Sequence, residues 1–243
     1  MNTTRTTRRG FLSLLAAAPA AFVLPRSARA DAATVLMIGS SMMGGGFGLY
    51  LGQDLEREFG CKIDRRAKAS SGLARPDFHD WFKLGAKARE EANPDVVVCM
   101  FGGNDGQGIY MGRNADPEWY RYGDPGWVPE YRRRVNAFAD AVAPGRERLF
   151  WLGMPQVESE KLCSRVAVMN EVYEVEMSLR PNARFVSTWD ALTVKGAYSD
   201  HVVVDGTRTR VRSGDGVHVT PSGAHLLADY VRPYISEALR TRP

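Results

Sequence analysis

Three short polar clusters could do chemistry together: Ser40-Ser41, Asn104-Asp105 and Asp215-Gly216-Val217-His218. A serine hydroxyl is a poor nucleophile near neutral pH and becomes a good one when a base within hydrogen-bond reach takes its proton. That base is normally a histidine, held in one tautomer by a carboxylate on its other ring nitrogen. Asp215 and His218 supply both groups within one turn, and Gly216 between them allows a sharp bend. Backbone N–H groups and a side-chain amide such as that of Asn104 can stabilise a developing oxyanion. The chemistry is acyl transfer, with Ser40 or Ser41 as nucleophile.

The elements around these clusters read as alternating strands and helices. Val35–Ile38 is a short apolar run entering Gly39-Ser40-Ser41, and Asp95–Phe101 (DVVVCMF) is a continuous apolar strand emptying into Gly102–Gly106. Further strands are predicted at Lys62–Ala67, Leu149–Gly153 and from Arg184 to Val186. Helices are predicted at Gly48–Phe59 with Gly60 as C-cap, Asp77–Ala92, Val128–Val142, Lys161–Leu179 and Ala224–Leu239. Residues 106–127 read as a long aromatic loop, and residues 195–213 as a small hairpin. The alternation predicts one α/β domain, a three-layer α/β/α sandwich around a mostly parallel five-stranded sheet. Loops at the carboxyl edge of such a sheet lie near one another, so the clusters can converge.

Gly39-Ser40-Ser41, Gly72, Gly102-Gly103-Asn104-Asp105 and Asp215–His218 resemble, in order, the four blocks of the SGNH hydrolase superfamily, the GDSL-like esterases. Ala69–Leu73, Phe101–Gln107 and Asp215–Gly223 are similar to an exported bacterial branch labelled a domain of unknown function. The resemblance implies an SGNH, flavodoxin-like fold and a cofactor-free serine esterase. It implies Ser41 as nucleophile, His218 as base and Asp215 as the carboxylate orienting it. It also implies an oxyanion hole of Ser41 N–H, Gly72 N–H and the Asn104 side chain. Where the family has G-D-S this chain has Gly39-Ser40-Ser41, so the acid before the nucleophile is replaced by Ser40. The same residues would serve an O-acyltransferase, and the fold could also carry a non-catalytic glycan-binding or assembly protein.

Competing readings are weaker. Gly44–Gly46 and Gly48 have no P-loop lysine and do not fit G-x-G-x-x-G, so they read as close packing at a helix start. His79 and His201 lack a second metal ligand at sensible spacing, His225 reads as packing or surface, and no metal or cofactor is predicted. Asp200-His201 is the one rival pair, and adjacent side chains tend to point apart. Asp105 could do no more than cap the turn after Asn104. Trp119, Tyr120 and Trp127 either fold the long loop down or form a platform on which sugar rings stack. Cys99 reads as core, and Cys61–Cys163 is a possible disulfide pair.

The formal net charge is +4, yet residues 1–30 contain five arginines and no acid. Taking those five from the 32 basic residues leaves 27 against 28 acidic, a net charge of −1, which removes the basis for nucleic-acid binding by a basic surface. Residues 1–30 read as a twin-arginine signal peptide, with Arg8-Arg9, the apolar run Phe11–Leu24 and Ala28-Arg29-Ala30 as cleavage site. Interrupted by Pro19, the run is too short for a span of roughly 20 residues. The expectation is a precursor handled by the twin-arginine machinery and a periplasmic or secreted domain of residues 31–243. That domain would have no stable membrane anchor and would take an acylated small molecule or glycan as substrate.

Overall fold

The computed structural model describes residues 32–241 and Met1; the predicted signal segment lies outside the described residues. The chain runs β1 (Thr34–Gly39), α1 (Ser41–Gly44), α2 (Gly46–Phe59), β2 (Lys62–Ala67), α3 (Trp81–Ala92) and β3 (Val96–Met100). The pair β4 (Ile109–Tyr110) and β5 (Trp119–Tyr120) follows, then α4 (Trp127–Val142), β6 (Arg148–Leu152), α5 (Glu160–Ser178) and β7 (Ala183–Val186). It ends with β8 (Thr193–Val194), β9 (Ala197–Tyr198), β10 (His201–Val204), β11 (Thr207–Arg210) and α6 (Pro221–Arg240).

Five strands form one sheet in the order β2-β1-β3-β6-β7, every pairing parallel. The apolar runs explain the arrangement. All five residues of β3 are buried, as are Val35–Ile38 in β1, so both sheet faces must be covered. Helices α2 and α6 pack together, and α3, α4 and α5 pack in sequence as a second group, giving the predicted three layers. Among the described residues no helix is long and apolar enough to cross a membrane.

Strand order reverses between β1 and β3, the switch point at which doubly wound sheets bind ligands outside the strands' carboxyl ends. Gly39 is in register with Ala67 on one side and Met100 on the other. The loops after β1, β2 and β3 therefore leave the sheet at one level, and they carry Ser41, Gly72 and Asn104.

The local elements differ from the sequence reading at several points. Helix begins at Ser41 and again at Gly46, earlier than Gly48. A Cβ on Gly39 would overlap the Met100 carbonyl, and one on Gly48 the Met43 carbonyl, so these glycines serve close packing as predicted. Helix α3 starts at Trp81 instead of Asp77, with the Asp80 side chain accepting from Lys83 N as its cap. The segment 106–127 is not featureless, since Ile109–Tyr110 pairs antiparallel with Trp119–Tyr120. The predicted hairpin is present as β10–β11.

All three cysteines are free, so the Cys61–Cys163 pairing is not made. Cys61 precedes β2 at the amino edge of the sheet, whereas Cys163 lies in the first turn of α5, beyond the carboxyl end of β6. The two stand at opposite ends of a parallel sheet.

Candidate active site

Ser41 opens α1 immediately after β1, half-buried. Its Oγ lies 2.7 Å from His218 Nε2, and His218 Nδ1 lies 2.6 Å from Asp215 Oδ2. Ser40 is 2% exposed, and its N–H donates to the Met100 carbonyl at 3.3 Å. Of the two serines, only Ser41 meets the histidine.

The Asp215–His218 turn is built from its own sequence. Asp215 Oδ1 accepts from the N–H groups of Val217 and His218, both at 3.0 Å, which leaves Oδ2 for the imidazole. Gly216 has φ of 68°, a left-handed conformation that suits glycine, and a Cβ there would overlap Glu158. The His218 bond foremost, with the two backbone donors, holds the Asp215 carboxyl at about 2. Thr220 then caps α6 by accepting from Gly223 N, with Pro221 at the first helical position.

Arg212 supports this turn from inside. It is fully buried, donating through Nη2 to the Gln156 carbonyl at 2.6 Å and through Nη1 to the Val217 carbonyl at 3.3 Å. Burial pulls its pKa down. A basic residue inside the run 207–212 carries no sequence sign of burial, and this one was legible only as part of a polar hairpin.

On the other side, Asn104 Nδ2 donates to the Ser71 carbonyl at 3.1 Å, joining the loop after β3 to the Ser71-Gly72 turn after β2. Asp105 is wholly buried and does far more than cap a turn. Its Oδ1 accepts from Ala74 N at 2.8 Å and its Oδ2 from the Tyr131 hydroxyl at 2.8 Å. Burial pushes its carboxyl up, against those bonds and the nearby Arg134 charge. Arg134, 4% exposed, donates to the carbonyls of Leu73 (2.9 Å), Ala74 (3.0 Å) and Tyr110 (2.5 Å) and pairs with Glu130 at 2.7 Å. Burial alone would raise the Glu130 carboxyl, but bonds from Arg133 and Arg134 outweigh it and hold it below its usual range. Arg134 thus ties the Ser71–Ala74 loop to the β4–β5 ribbon.

Of the two roles open to the loop aromatics, Trp127 and Tyr120 take the first and fold the loop down. Trp127 is 1% exposed, stacks on Tyr131 with ring centres 5.0 Å apart, and donates its indole N–H to the Gln107 carbonyl at 2.7 Å. It faces the core because α4 begins there and turns its first residue inward. Tyr120 is half-buried and fills the space beside Gly126. Trp119 alone of the three is open, 38% exposed, beside Tyr110 at 4.8 Å and under Arg75 at 4.9 Å.

The remaining histidines stand apart. His225 is exposed and stacks on Tyr50 at 3.7 Å. Asp200 and His201 do bond, at 2.7 Å, despite being adjacent, but the nearby Ser199 hydroxyl donates to the His201 carbonyl. Among the described residues no three His, Cys, Asp or Glu are arranged to hold a metal ion.

A hydroxyl, an imidazole and a carboxylate in line, beside two loops offering N–H donors, can pass a proton from oxygen to nitrogen while a neighbouring oxyanion is stabilised. The fold is the one found in SGNH hydrolases. The chain is similar to a carbohydrate acetylesterase family member from Sinorhizobium meliloti (13% identity, TM-score 0.59, 86% of this chain and 99% of that one). It is also similar to a carbohydrate esterase family 3 protein from Talaromyces cellulolyticus (15%, 0.56, 87% and 100%). A third, from Slackia heliotrinireducens, is assigned to the SGNH hydrolases (16%, 0.55, 84% and 100%). At such identities the likeness is one of fold. By sequence, residues 34–234 match the family described as "Protein of unknown function (DUF459)", and the chain belongs to that family. No curated protein matches it significantly.

Proposed function

We propose that this protein is an exported serine esterase that removes a small acyl group, such as acetyl, from a carbohydrate or cell-envelope glycan. The observation that carries this reading is the 2.7 Å contact of Ser41 Oγ with His218 Nε2, backed by Asp215 on Nδ1. Ser41 Oγ attacks the ester carbonyl as His218 takes its proton. The negative oxygen of the tetrahedral intermediate is received by the N–H groups of Ser41 and Gly72 and by Asn104 Nδ2. His218 then protonates the leaving sugar oxygen, water repeats the sequence on the acyl-enzyme, and the acid is released. Asp215 stays ionised throughout and keeps the imidazole Nε2 facing Ser41.

Carbohydrate as the substrate class is supported by the predicted export signal, by open Trp119, and by fold neighbours described as carbohydrate esterases. The experiment is turnover of a short-chain aryl ester and of an O-acetylated glycan by purified residues 31–243. Acid release by the wild-type protein, lost in Ser41→Ala and kept in Ser40→Ala, is the predicted result. Turnover of neither substrate by the wild type contradicts the esterase reading.

A further inference from the structure

One groove outside the Ser41–His218–Asp215 site runs along the free edge of the sheet. Strand β2 is the edge strand, and between it and α3 lies a cavity of about 350 Å³ lined by Arg65, Arg66, Ala67, His79, Trp81 and Lys87, among others. It follows α3 from Trp81 to Glu91, ten residues or roughly 15 Å at 1.5 Å per residue, the dimension of an extended ligand.

The groove joins the candidate active site at its upper end. Ala67 is in register with Gly39, and a Cβ on Gly44 in α1 would sit 3.3 Å from the Ala67 side chain. Trp81, on the groove wall, donates its indole N–H to Ser71 Oγ at 2.9 Å, and that hydroxyl donates to the Lys68 carbonyl at 2.6 Å. One wall is therefore bonded to the residue that precedes Gly72. The upper end of the groove therefore meets α1 and the loop that carries Gly72.

Its charge is positive and only partly compensated. Arg66 pairs with Asp64 and Glu91, and Lys87 with Glu91. Arg65 instead donates to three carbonyls, those of Met43, Gly44 and Gly45, and Lys68 stands over the Phe78 ring at 6.0 Å. Among the described residues neither has a carboxylate at ion-pair distance, whereas the predicted mature chain as a whole has a net charge of −1. Phe78, next in sequence to His79 of the lining, is 54% exposed, and Lys68 is next in sequence to Ala67 of the lining. An exposed ring suits the C–H face of a sugar, and the cations suit carboxylates.

We propose that this groove, with Lys68 and Phe78 flanking its lining, is a binding subsite for a carboxylate-bearing polysaccharide, contacted chiefly by Lys68, Phe78 and Lys87. The proposal rests on the esterase reading for the use of the bound chain, but not for the binding itself.

The test is binding of purified residues 31–243 carrying Ser41→Ala, which cannot turn over an ester, to immobilised polygalacturonate and to immobilised dextran at low ionic strength. The prediction is binding to the acidic polymer and none to the neutral one. Lys68→Glu with Lys87→Glu should weaken the affinity at least tenfold. The same charge change at the amino edge of the sheet, Arg148→Glu with Arg184→Glu, should alter it less than threefold, with melting temperatures confirming that both pairs fold. Equal binding to dextran, no binding to polygalacturonate, or equal loss in the two charge-reversed pairs overturns the proposal. The last result would reduce the basic residues to guards of an exposed edge strand. Because turnover plays no part in the measurement, its outcome is separate from the fate of the esterase reading.

Discussion

The carboxylate of Asp105 occupies the space that a side chain on Gly72 would need. The loop after β2 and the loop after β3 are thereby fitted to each other at one point, and Asp105 Oδ1 fixes the outcome by accepting from Ala74 N. In Gly72→Ala one of the two must move. Overpacking of this kind costs roughly 1–3 kcal/mol. In the proposed mechanism Gly72 N–H is an oxyanion donor, and its displacement should lower kcat about a hundredfold or more. A variant with wild-type kcat and melting temperature would contradict the fit.

Asn104 offers its amide to the Ser71 carbonyl in the free protein and, in the proposed mechanism, to the oxyanion. Asn104→Ala should lower kcat by roughly 10²–10³ with little change in KM, since the interaction strengthens as charge develops. Steady-state kinetics on an aryl acetate check this; a rise in KM at unchanged kcat would assign Asn104 to ground-state binding instead.

Asp215 makes a signed prediction about pH. Its folded pKa of about 2 lies below the roughly 3.9 of an unfolded aspartate. Its interaction with His218 therefore adds stability above about pH 4, and that contribution is lost as pH falls toward 2. Half of the Asp215 side chain is open to water, so the effect is small. The melting-temperature gap between wild type and Asp215→Asn should be modest near neutral pH and close on acidification. Activity responds far more strongly: the same variant frees the imidazole to take the wrong tautomer, and kcat should fall by roughly 10⁴.

Arg134 holds three carbonyls and a carboxylate inside the protein. Arg134→Met leaves Glu130 with Arg133 alone and removes the guanidinium donor from the carbonyls of Leu73, Ala74 and Tyr110, of which Ala74 keeps the Tyr110 N–H. Denaturant unfolding should show a loss of about 3 kcal/mol, in the range for breaking a buried pair. A loss below about 0.5 kcal/mol, the scale of surface substitutions, would contradict the role given to the clamp.

The sheet and the three polar clusters were legible in the sequence because both depend on local pattern. Apolar runs such as DVVVCMF need cover on both faces, and a turn such as Asp215–His218 is written in four consecutive residues. What could not be read depends on partners far along the chain. Asp105 and Arg134 look like surface residues until Tyr131, Leu73 and Ala74 are brought around them. Trp127 looked like a platform residue for the same reason, since only the direction in which α4 starts decides that its ring points inward. Ser40 and Ser41 were separated in sequence by family likeness and by the strand-to-helix turn expected at Ser41, and in the structure by which hydroxyl reaches His218.

The central claim is that Ser41 is a nucleophile activated by His218, and covalent labelling reads it directly. Purified residues 31–243 are treated with a serine-directed fluorophosphonate and the adduct is located by peptide mass mapping. The account predicts one adduct, on Ser41, lost in Ser41→Ala, strongly slowed in His218→Ala and retained in Ser40→Ala. An adduct on Ser40, or no adduct on folded wild-type protein, would contradict it.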